Sequence, residues 1–256
     1  MSGENTQSDI TGRKIFFLYP SPSVINQVIT ELIQQEFEVY TSKNHANLGR
    51  ALKKYPDSIV YINIDDGMPI PEWGKWVESL LPSLPDLKFG VFSTNNNEEF
   101  KEKVTKELHI TCGFIISKVD MSKTIGKIPE ILNAMNVKGR RKYLRANTER
   151  ETTATVNIEY RGGYVKGVIK DISVVGVSCS FEQDLELAKN SIFKGTQIRL
   201  QSMLLNVEII VFGSRMDDNQ KIYVMLFSQT VDSEVRVKIR KYIQQNLQKK
   251  IDPEIN

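Results

Sequence analysis

TATVNIEYRGGYVKGVI, residues 153–169, is the stretch that decides the fold of the second half of the chain. Apolar and polar side chains alternate at period two through residues 153–160, as in a strand that buries one face. Arg161-Gly162-Gly163 then supplies a turn, and residues 164–169 lead back. The stretch therefore predicts an antiparallel β-hairpin.

The residues that follow this hairpin continue the strand pattern as far as Phe227. Four further strands are predicted there, and the turn signal Asp217-Asp218-Asn219 lies between the last two. They cover residues 176–181, 197–201, 204–213 and 222–227. Because no long helical pattern interrupts them, six short antiparallel strands favour a small β-barrel.

A helical pattern closes the second half of the chain between Asp232 and about Lys249. A helix that lies on a membrane surface needs a wide apolar face, whereas the apolar stripe here is narrow. The stripe consists of Val235, Ile239, Tyr242, Ile243 and Leu247. We therefore expect this helix to cover the barrel or its open end.

The first half, residues 14–135, alternates short apolar runs with longer stretches of helical spacing, which is typical of a parallel sheet flanked by helices. Strands are predicted at residues 15–19, 37–40, 58–64, 88–92 and 113–116, and helices at residues 22–36, 46–55, 73–81, 98–108 and 122–135. The expected fold class is thus α/β plus all-β. A flavodoxin-like parallel sheet with flanking helices precedes a six-stranded antiparallel barrel with a C-terminal helix.

These patterns divide the 256 residues into four segments. Residues 1–12 are polar and lack the basic and apolar regions of a secretory signal, so we expect a disordered tail. Residues 13–135 form the predicted α/β domain, 136–151 a linker, and 152–250 the barrel with its helix. A chain of this length can form two domains that each bury a core.

The composition predicts a protein that stays in water and inserts into no membrane. With 40% hydrophobic and 25% charged residues, no apolar run approaches the roughly 20 residues that span a bilayer. Cys112 and Cys179 lie far apart, which argues against a disulfide framework and favours a reduced, cytoplasmic protein. His45 and His109 are isolated from other ligand-type side chains, so no metal site is expected.

The charge of the chain does not indicate a nucleic-acid-binding protein. A net charge of +3 is small, because such proteins usually concentrate much stronger basicity on one face. The tyrosines also form no stacking pattern on adjacent predicted strands. Nucleic acid is therefore not an expected partner.

Two short segments carry groups that suit a guanine nucleotide. Arg140 and the segment Arg141-Lys142-Tyr143-Leu144-Arg145 bring three guanidinium groups, and Asp171-Ile172-Ser173-Val174-Val175-Gly176 forms an acidic turn. Arginine makes paired hydrogen bonds to phosphate oxygens or to the O6/N7 edge of guanine, and stacks on flat bases. A carboxylate can accept hydrogen bonds from the N1–H and 2-amino groups on the opposite edge of guanine. Each segment alone is compatible with a solvated linker or an ordinary turn, but together they favour a nucleotide site.

The residues of the acidic turn have separable predicted roles. Asp171 ends a predicted strand near the rim of the barrel, where adenine would leave its carboxylate unpaired at a cost of about 1–3 kcal/mol. Ser173 is predicted either to cap the turn or to bond the ligand. Gly176 is predicted either to adopt a positive φ or to allow a close backbone approach.

The second half resembles the PilZ family, whose signature is R-x-x-x-R followed some 20 to 30 residues later by D/N-x-S-x-x-G. Arg141 and Arg145 match the first part, and Asp171, Ser173 and Gly176 match the second. The resemblance implies a ligand, cyclic di-GMP, with no catalytic cofactor and no enzymatic activity. It also implies bacterial second-messenger signalling in processes such as motility and biofilm formation. In similar proteins the residue at the position of Arg140 affects ligand stoichiometry, which stays open here.

Residues 13–135 resemble the receiver domains of bacterial two-component signalling. Ser93 or Thr94 matches the family's hydroxyl after the fourth strand, and Lys118 matches its lysine after the fifth. The paired acids that hold magnesium in that family are replaced by Tyr19-Pro20-Ser21-Pro22-Ser23, and Asp65 lies slightly beyond the place of the phospho-acceptor. The resemblance therefore implies a docking or dimerising platform for a protein partner, with phosphorylation of Asp65 as the alternative.

The sequence thus predicts a cytoplasmic receptor in which cyclic di-GMP orders residues 140–150 and changes the arrangement of the domains or the binding of a partner. One alternative is a response regulator that is phosphorylated on the receiver-like domain. Another is a degenerate PilZ module that acts only through protein–protein contacts. Trp73 and Trp76 on the third predicted helix belong either to a protein interface or to the core. The downstream partner and the oligomeric state stay open.

Overall fold

The computed structural model describes residues 12–117, 121, 125–149 and 151–256. Contacts between residues divide the chain into two compact units. The first unit runs to Lys142 and also contains Leu247–Asn256, and the second unit is Tyr143–Asn246. The end of the chain therefore returns to the first unit.

The first unit contains a five-stranded parallel sheet in the order β2-β1-β3-β4-β5. Its strands are β1 Ile15–Leu18, β2 Val39–Ser42, β3 Ile59–Asn63, β4 Lys88–Ser93 and β5 Ile110–Ile116. The middle strands are buried on both faces, which explains their continuous apolar sequence. The predicted α/β architecture is confirmed.

Helices cover both faces of this sheet and form two separate cores. A π-helical segment, Val24–Ile29, leads into α1 Thr30–Gln34, and a 3₁₀ turn, Leu52–Lys54, follows α2 His45–Ala51. The remaining helices of the unit are α3 Ile70–Leu80, α4 Glu98–Glu107 and α5 Lys127–Ala134. The apolar side chains of α1 and α5 pack in one core, and those of α2, α3 and α4 pack in the other.

The tryptophans of α3 belong to the core. Trp73 is fully buried, and Trp76 is partly buried against the same cluster. Their rings meet edge to face with centroids 5.7 Å apart. This is a favourable geometry for an aromatic pair. Of the two roles that the sequence left open, interface or core, the burial of Trp73 and the packing of Trp76 against the same cluster support the core.

The second unit is a closed, six-stranded antiparallel barrel, as predicted. Its strands follow the order β8-β7-β10-β11-β12-β9, the pairing of β8 with β9 closes the ring, and β6 adds to β8. The strands are β6 Arg145–Asn147, β7 Ala154–Tyr160, β8 Gly163–Ser173, β9 Gly176–Phe181, β10 Ile192–Leu200, β11 Met203–Asp217 and β12 Gln220–Phe227. Buried apolar side chains alternate along them and fill the interior.

Several strands extend beyond their predicted bounds, and three of the differences have identifiable reasons. Strand β10 begins at Ile192, earlier than predicted. The sequence pattern did not reveal this start, because a bulge between Phe193 and Thr196, with Gly195 at φ +64°, breaks the alternation of buried side chains. Strand β11 runs on to Asp217 past a second bulge between Val211 and Gly213. Strand β6 is too short to show a period, and it lies within the predicted linker.

The C-terminal helix, α6, extends from Ser233 to Ile255 and begins after Asp232, whose side chain accepts a hydrogen bond from Glu234 N–H at 2.8 Å. The predicted helix stopped at about Lys249. The observed helix continues beyond Lys249, and Pro253 lies in its last turn. No helix in the described residues is both long enough and apolar enough to cross a membrane.

The last residues of α6 complete the first unit. Ile251 and Ile255 are buried in the core shared by α2, α3 and α4. The side-chain amide of Gln248 bonds both backbone groups of Thr41 in the edge strand β2, at 2.9 Å to N–H and 3.0 Å to C=O. Asn256 accepts a hydrogen bond from Lys43 N–H at 3.0 Å. These amides satisfy backbone groups that a sheet edge otherwise leaves open.

Ile251→Ala and Ile255→Ala are each expected to lower the free energy of unfolding of the first unit by about 2–4 kcal/mol, because each leaves a cavity in a packed core. Tryptophan fluorescence during urea unfolding measures this unit alone, since both tryptophans, Trp73 and Trp76, belong to it. Lys249→Ala, at an exposed position of the same helix, is the control and should stay within about 0.5 kcal/mol. Equal unfolding midpoints for all variants would contradict the assignment.

Candidate nucleotide-binding site

The acidic turn predicted from the sequence is the hairpin that joins β8 to β9. Ser173 pairs with Gly176 across this hairpin. The Ser173 hydroxyl donates to Gly176 C=O at 3.3 Å and accepts from Val175 N–H at 3.4 Å. Of the two predicted roles for Ser173, the structure places its buried hydroxyl in the turn.

Gly176 is required by a close approach of two backbones. A Cβ atom at this position would lie 2.2 Å from Met225 O on β12, and the φ of Gly176 is not positive. Such a contact cannot be relieved by a side-chain rotation, because the neighbour is main chain. The close approach is therefore the correct one of the two predicted alternatives.

The β8 strand contains a bulge immediately before Asp171. Ile169 pairs with Cys179, but the next pair is Asp171 with Ser178, so Lys170 is the additional residue. In the register set by the turn, Lys170 would stand opposite Cys179 if the bulge were absent. The fully buried Thr148 holds the bulge, because its hydroxyl donates to Ile169 C=O at 2.6 Å and its N–H donates to Lys170 C=O at 2.8 Å.

The β6 strand brings Arg145 to the acidic turn. Arg145 pairs with Ser173, Ala146 with Ile172, and Asn147 with Asp171. Ala146 and Ile172 are fully buried, so the other two pairs lie on the opposite, outer face. The outer face of β6, β8 and β9 therefore carries two rows of residues. They are Arg145–Ser173–Gly176 and Asn147–Asp171–Ser178.

Asp171 is the electrostatic centre of this outer face. Its carboxylate forms an ion pair with Arg145 at 3.6 Å and accepts a hydrogen bond from the Ser178 hydroxyl. The Arg145 side chain remains 52% exposed and that of Asp171 28% exposed. Both groups are thus held in place and accessible to a ligand in solution.

The structure brings together four of the six residues predicted for the site: Arg145, Asp171, Ser173 and Gly176. Arg140 and Arg141 are exposed and belong to the first unit, shortly before Tyr143, at which the second unit begins. Their contribution to the site stays a prediction.

Three residues of the site escaped the sequence analysis: Asn147, Thr148 and Ser178. A signal existed for Ser178, because a hairpin that pairs Ser173 with Gly176 also places Asp171 opposite Ser178. Asn147 and Thr148 depend on the pairing of β6 with β8, which three residues of strand do not reveal. The site could therefore be found from its motif, but its supporting contacts could not.

In the first unit, the residues predicted to resemble the phosphorylation site of a receiver domain are hydrogen-bonded to one another. Both oxygens of Asp65 are occupied, because the carboxylate accepts from Ser93 Oγ–H and from Thr94 N–H, each at 2.6 Å. Asn63, which ends β3, donates to Tyr19 C=O at 2.9 Å. Lys118 lies outside the described residues.

The remaining reactive side chains of the described residues form no second centre. Within this part of the chain, no group of three or more His, Cys, Asp or Glu residues could hold a metal ion. Burial, and then the charge of Asp171, raise the pKa of the Cys179 thiol to about 12. Burial also raises the pKa of Cys112. Both thiols are therefore protonated at neutral pH.

The chain matches no protein-family model and no curated protein with which it was compared. Parts of it are similar to solved structures. The PilZ domain of YcgR from Escherichia coli with c-di-GMP is 13% identical with a TM-score of 0.38, and the match covers 44% of this chain and 96% of that one. A response regulator from Thermotoga maritima is 16% identical with a TM-score of 0.40, and the match covers 48% of this chain and 98% of that one.

A longer structure of Escherichia coli YcgR in complex with c-di-GMP is 14% identical with a TM-score of 0.38. The match covers 45% of this chain and spans about half, 51%, of that one. Because every one of these TM-scores is below 0.5, the similarities carry no argument about the site. The case for a nucleotide site rests on the geometry of β6, β8 and β9.

Gly176→Ala is expected to lower the stability of the barrel by about 1–3 kcal/mol, because the new methyl group would meet Met225 O. Amide hydrogen exchange in β9 and β12 measures this effect. Gly163→Ala is the matched control, since nothing lies within 4 Å of a Cβ atom there and its φ is not positive. Unchanged exchange in Gly176→Ala would show that the backbones separate at little cost.

Proposed function

We propose that this protein is a receptor for cyclic di-GMP that carries out no reaction of its own. The observation that carries the proposal is the outer face of β6, β8 and β9, where the register places Arg145 and Asp171 side by side above a turn closed by Ser173 and Gly176. A guanidinium fork and a carboxylate are the two groups that the two edges of guanine require.

The chemistry of the ligand matches these groups one by one. Asp171 would accept hydrogen bonds from the N1–H and amino groups of one guanine. Arg145 and Arg141 would donate to a phosphate or to the O6/N7 edge, and their flat side chains would stack on the bases. Arg140 would add a third guanidinium. The stoichiometry of a calorimetric titration distinguishes one bound ligand from a stacked pair.

In this structure Arg145 is paired with Asp171, so the ligand would have to share or replace this ion pair. The cost of doing so is small, because an ion pair between side chains this exposed stabilises a protein by roughly 0–1 kcal/mol. New bonds to a phosphate and a purine exceed that cost. Because residues 145–148 already pair with or bond to β8, binding would order residues 140–144 around the ligand and change how the chain interacts with a partner.

For the first unit we propose a surface for a protein partner and no phosphorelay. Ser93 and Thr94 already occupy the Asp65 carboxylate, and no acidic residue follows β1 at Tyr19 to hold the cation that phosphoryl transfer needs.

Titration calorimetry is expected to show selective binding of cyclic di-GMP over cyclic di-AMP and GTP. Arg141→Ala combined with Arg145→Ala should weaken binding by about a hundredfold or more, because each charged hydrogen bond is worth about 1.5–3 kcal/mol. Arg199→Ala, an exposed arginine on β10, is the control and should bind as the wild type does. Heat from none of the nucleotides, with a folded wild type, would leave only the protein-contact alternative.

Saturating cyclic di-GMP is expected to slow amide hydrogen exchange in residues 140–144, since bonds to the ligand would order this segment, which is exposed at Arg140, Arg141 and Lys142. Hydrogen exchange followed by mass spectrometry measures the effect. The β7–β8 hairpin around Gly162 serves as the internal reference, because it lies outside the proposed site. If binding is saturated and exchange in residues 140–144 does not change, the ordering part of the proposal is wrong.

A further inference from the structure

We propose that Ser178 orients the Asp171 carboxylate so that both of its oxygens engage guanine, and that Ser178 thereby sets the preference for guanine over a purine without the 2-amino group. This inference rests on the proposed function and concerns a residue outside the R-x-x-x-R and D-x-S-x-x-G patterns. Ser178 is a positioning residue in this proposal, since it acts on the ligand through Asp171.

The contact between the two side chains is fixed by the backbone. The β8–β9 hairpin pairs Ser173 with Gly176 and thereby places Asp171 directly opposite Ser178. The Ser178 hydroxyl donates to Oδ2 of Asp171. Because the register is set by ladder hydrogen bonds, the carboxylate is oriented before any ligand arrives.

Burial makes this hydrogen bond hard to give up. Ser178 is only 4% exposed, so water cannot easily replace the Asp171 carboxylate as the partner of its hydroxyl. The carboxylate itself is 28% exposed and has lone pairs that Ser178 does not use. Ser178 therefore blocks rotation of the carboxylate from the side of β9, and the ligand would reach the other oxygen, Oδ1, by sharing or replacing its ion pair with Arg145.

A fixed carboxylate matters most for a two-point contact. The N1–H and 2-amino groups of guanine lie side by side in one plane, so both oxygens of Asp171 must lie in that plane to accept both bonds. Hypoxanthine has the N1–H, O6 and N7 of guanine but lacks the 2-amino group, so it makes one of these bonds. A carboxylate that rotates freely can still make one bond but makes two less readily.

The chain offers a matched control two residues along the same strand. Ser180 is 3% exposed, on the same face of β9 as Ser178, and it pairs with Val168 instead of an acid. Removing the Ser180 hydroxyl therefore tests the loss of a buried serine in this strand without affecting Asp171.

The test compares cyclic di-GMP with cyclic di-IMP, which carries hypoxanthine in place of guanine, by titration calorimetry. The wild type is expected to prefer cyclic di-GMP by roughly tenfold or more, the effect of one hydrogen bond to a charged group. In Ser178→Ala this ratio should fall to about threefold or less, mainly through weaker binding of cyclic di-GMP. Ser178→Thr, which keeps a hydroxyl, should show the wild-type ratio of affinities for cyclic di-GMP and cyclic di-IMP. Ser180→Ala should show the same ratio.

Each outcome decides the proposal. If Ser178→Ala retains the wild-type ratio, or weakens both ligands equally, Ser178 has only a structural role and the inference is wrong. A folded wild type that binds neither nucleotide rejects the proposed function, and this inference with it. Thermal unfolding checks that each variant folds. If Ser178→Ala does not, Ser178→Cys gives the same comparison, because a thiol fills similar space and is a weak donor.

Discussion

The second unit depends on strand β8, which pairs with three other strands. Strand β8 pairs with β7 through its first half, with β9 through its second half, and with β6 at its last residues. The barrel closes because β8 pairs along both of its edges, and Gly167 and Val168 pair with β7 and β9 at the same time. The bulge at Lys170 lies between the residues of β8 that pair with β7 and those that pair with β6, and bulges bend a strand and increase its twist. The pairing of β8 with β9 therefore both closes the barrel and places Asp171 at the site.

This coupling explains why the site needs so few special residues. The ladder to β9 aligns Asp171 with Ser178, and the ladder to β6 aligns Ser173 with Arg145. The fully buried Thr148 satisfies two carbonyl groups of the bulged strand that would otherwise lose their partners. Positioning thus comes from backbone pairing, which is more rigid than a loop would be.

The sequence was informative wherever a period was unbroken. The hairpin at residues 153–169 and the five parallel strands were predictable because their apolar patterns match one regular geometry. The two bulges in β10 and β11 shift the alternation, so the pattern stops while the strand continues. Likewise, Arg145 and Asp171 could be paired by motif, whereas Ser178 could be placed only through the register of a hairpin. Local patterns carry no information about pairing between distant strands.

The return of Leu247–Asn256 to the first unit has a consequence for how the protein is made. These residues follow the barrel in the chain, so the ribosome has to translate all of Tyr143–Asn246 before it reaches them. At about 5–20 residues per second, this delay is on the order of ten seconds. During that time the nascent first unit lacks the two isoleucines that fill its core, and the edge of β2 lacks the amides that cover it. An uncovered sheet edge pairs readily with other chains, so the nascent first unit is exposed to aggregation until α6 is complete.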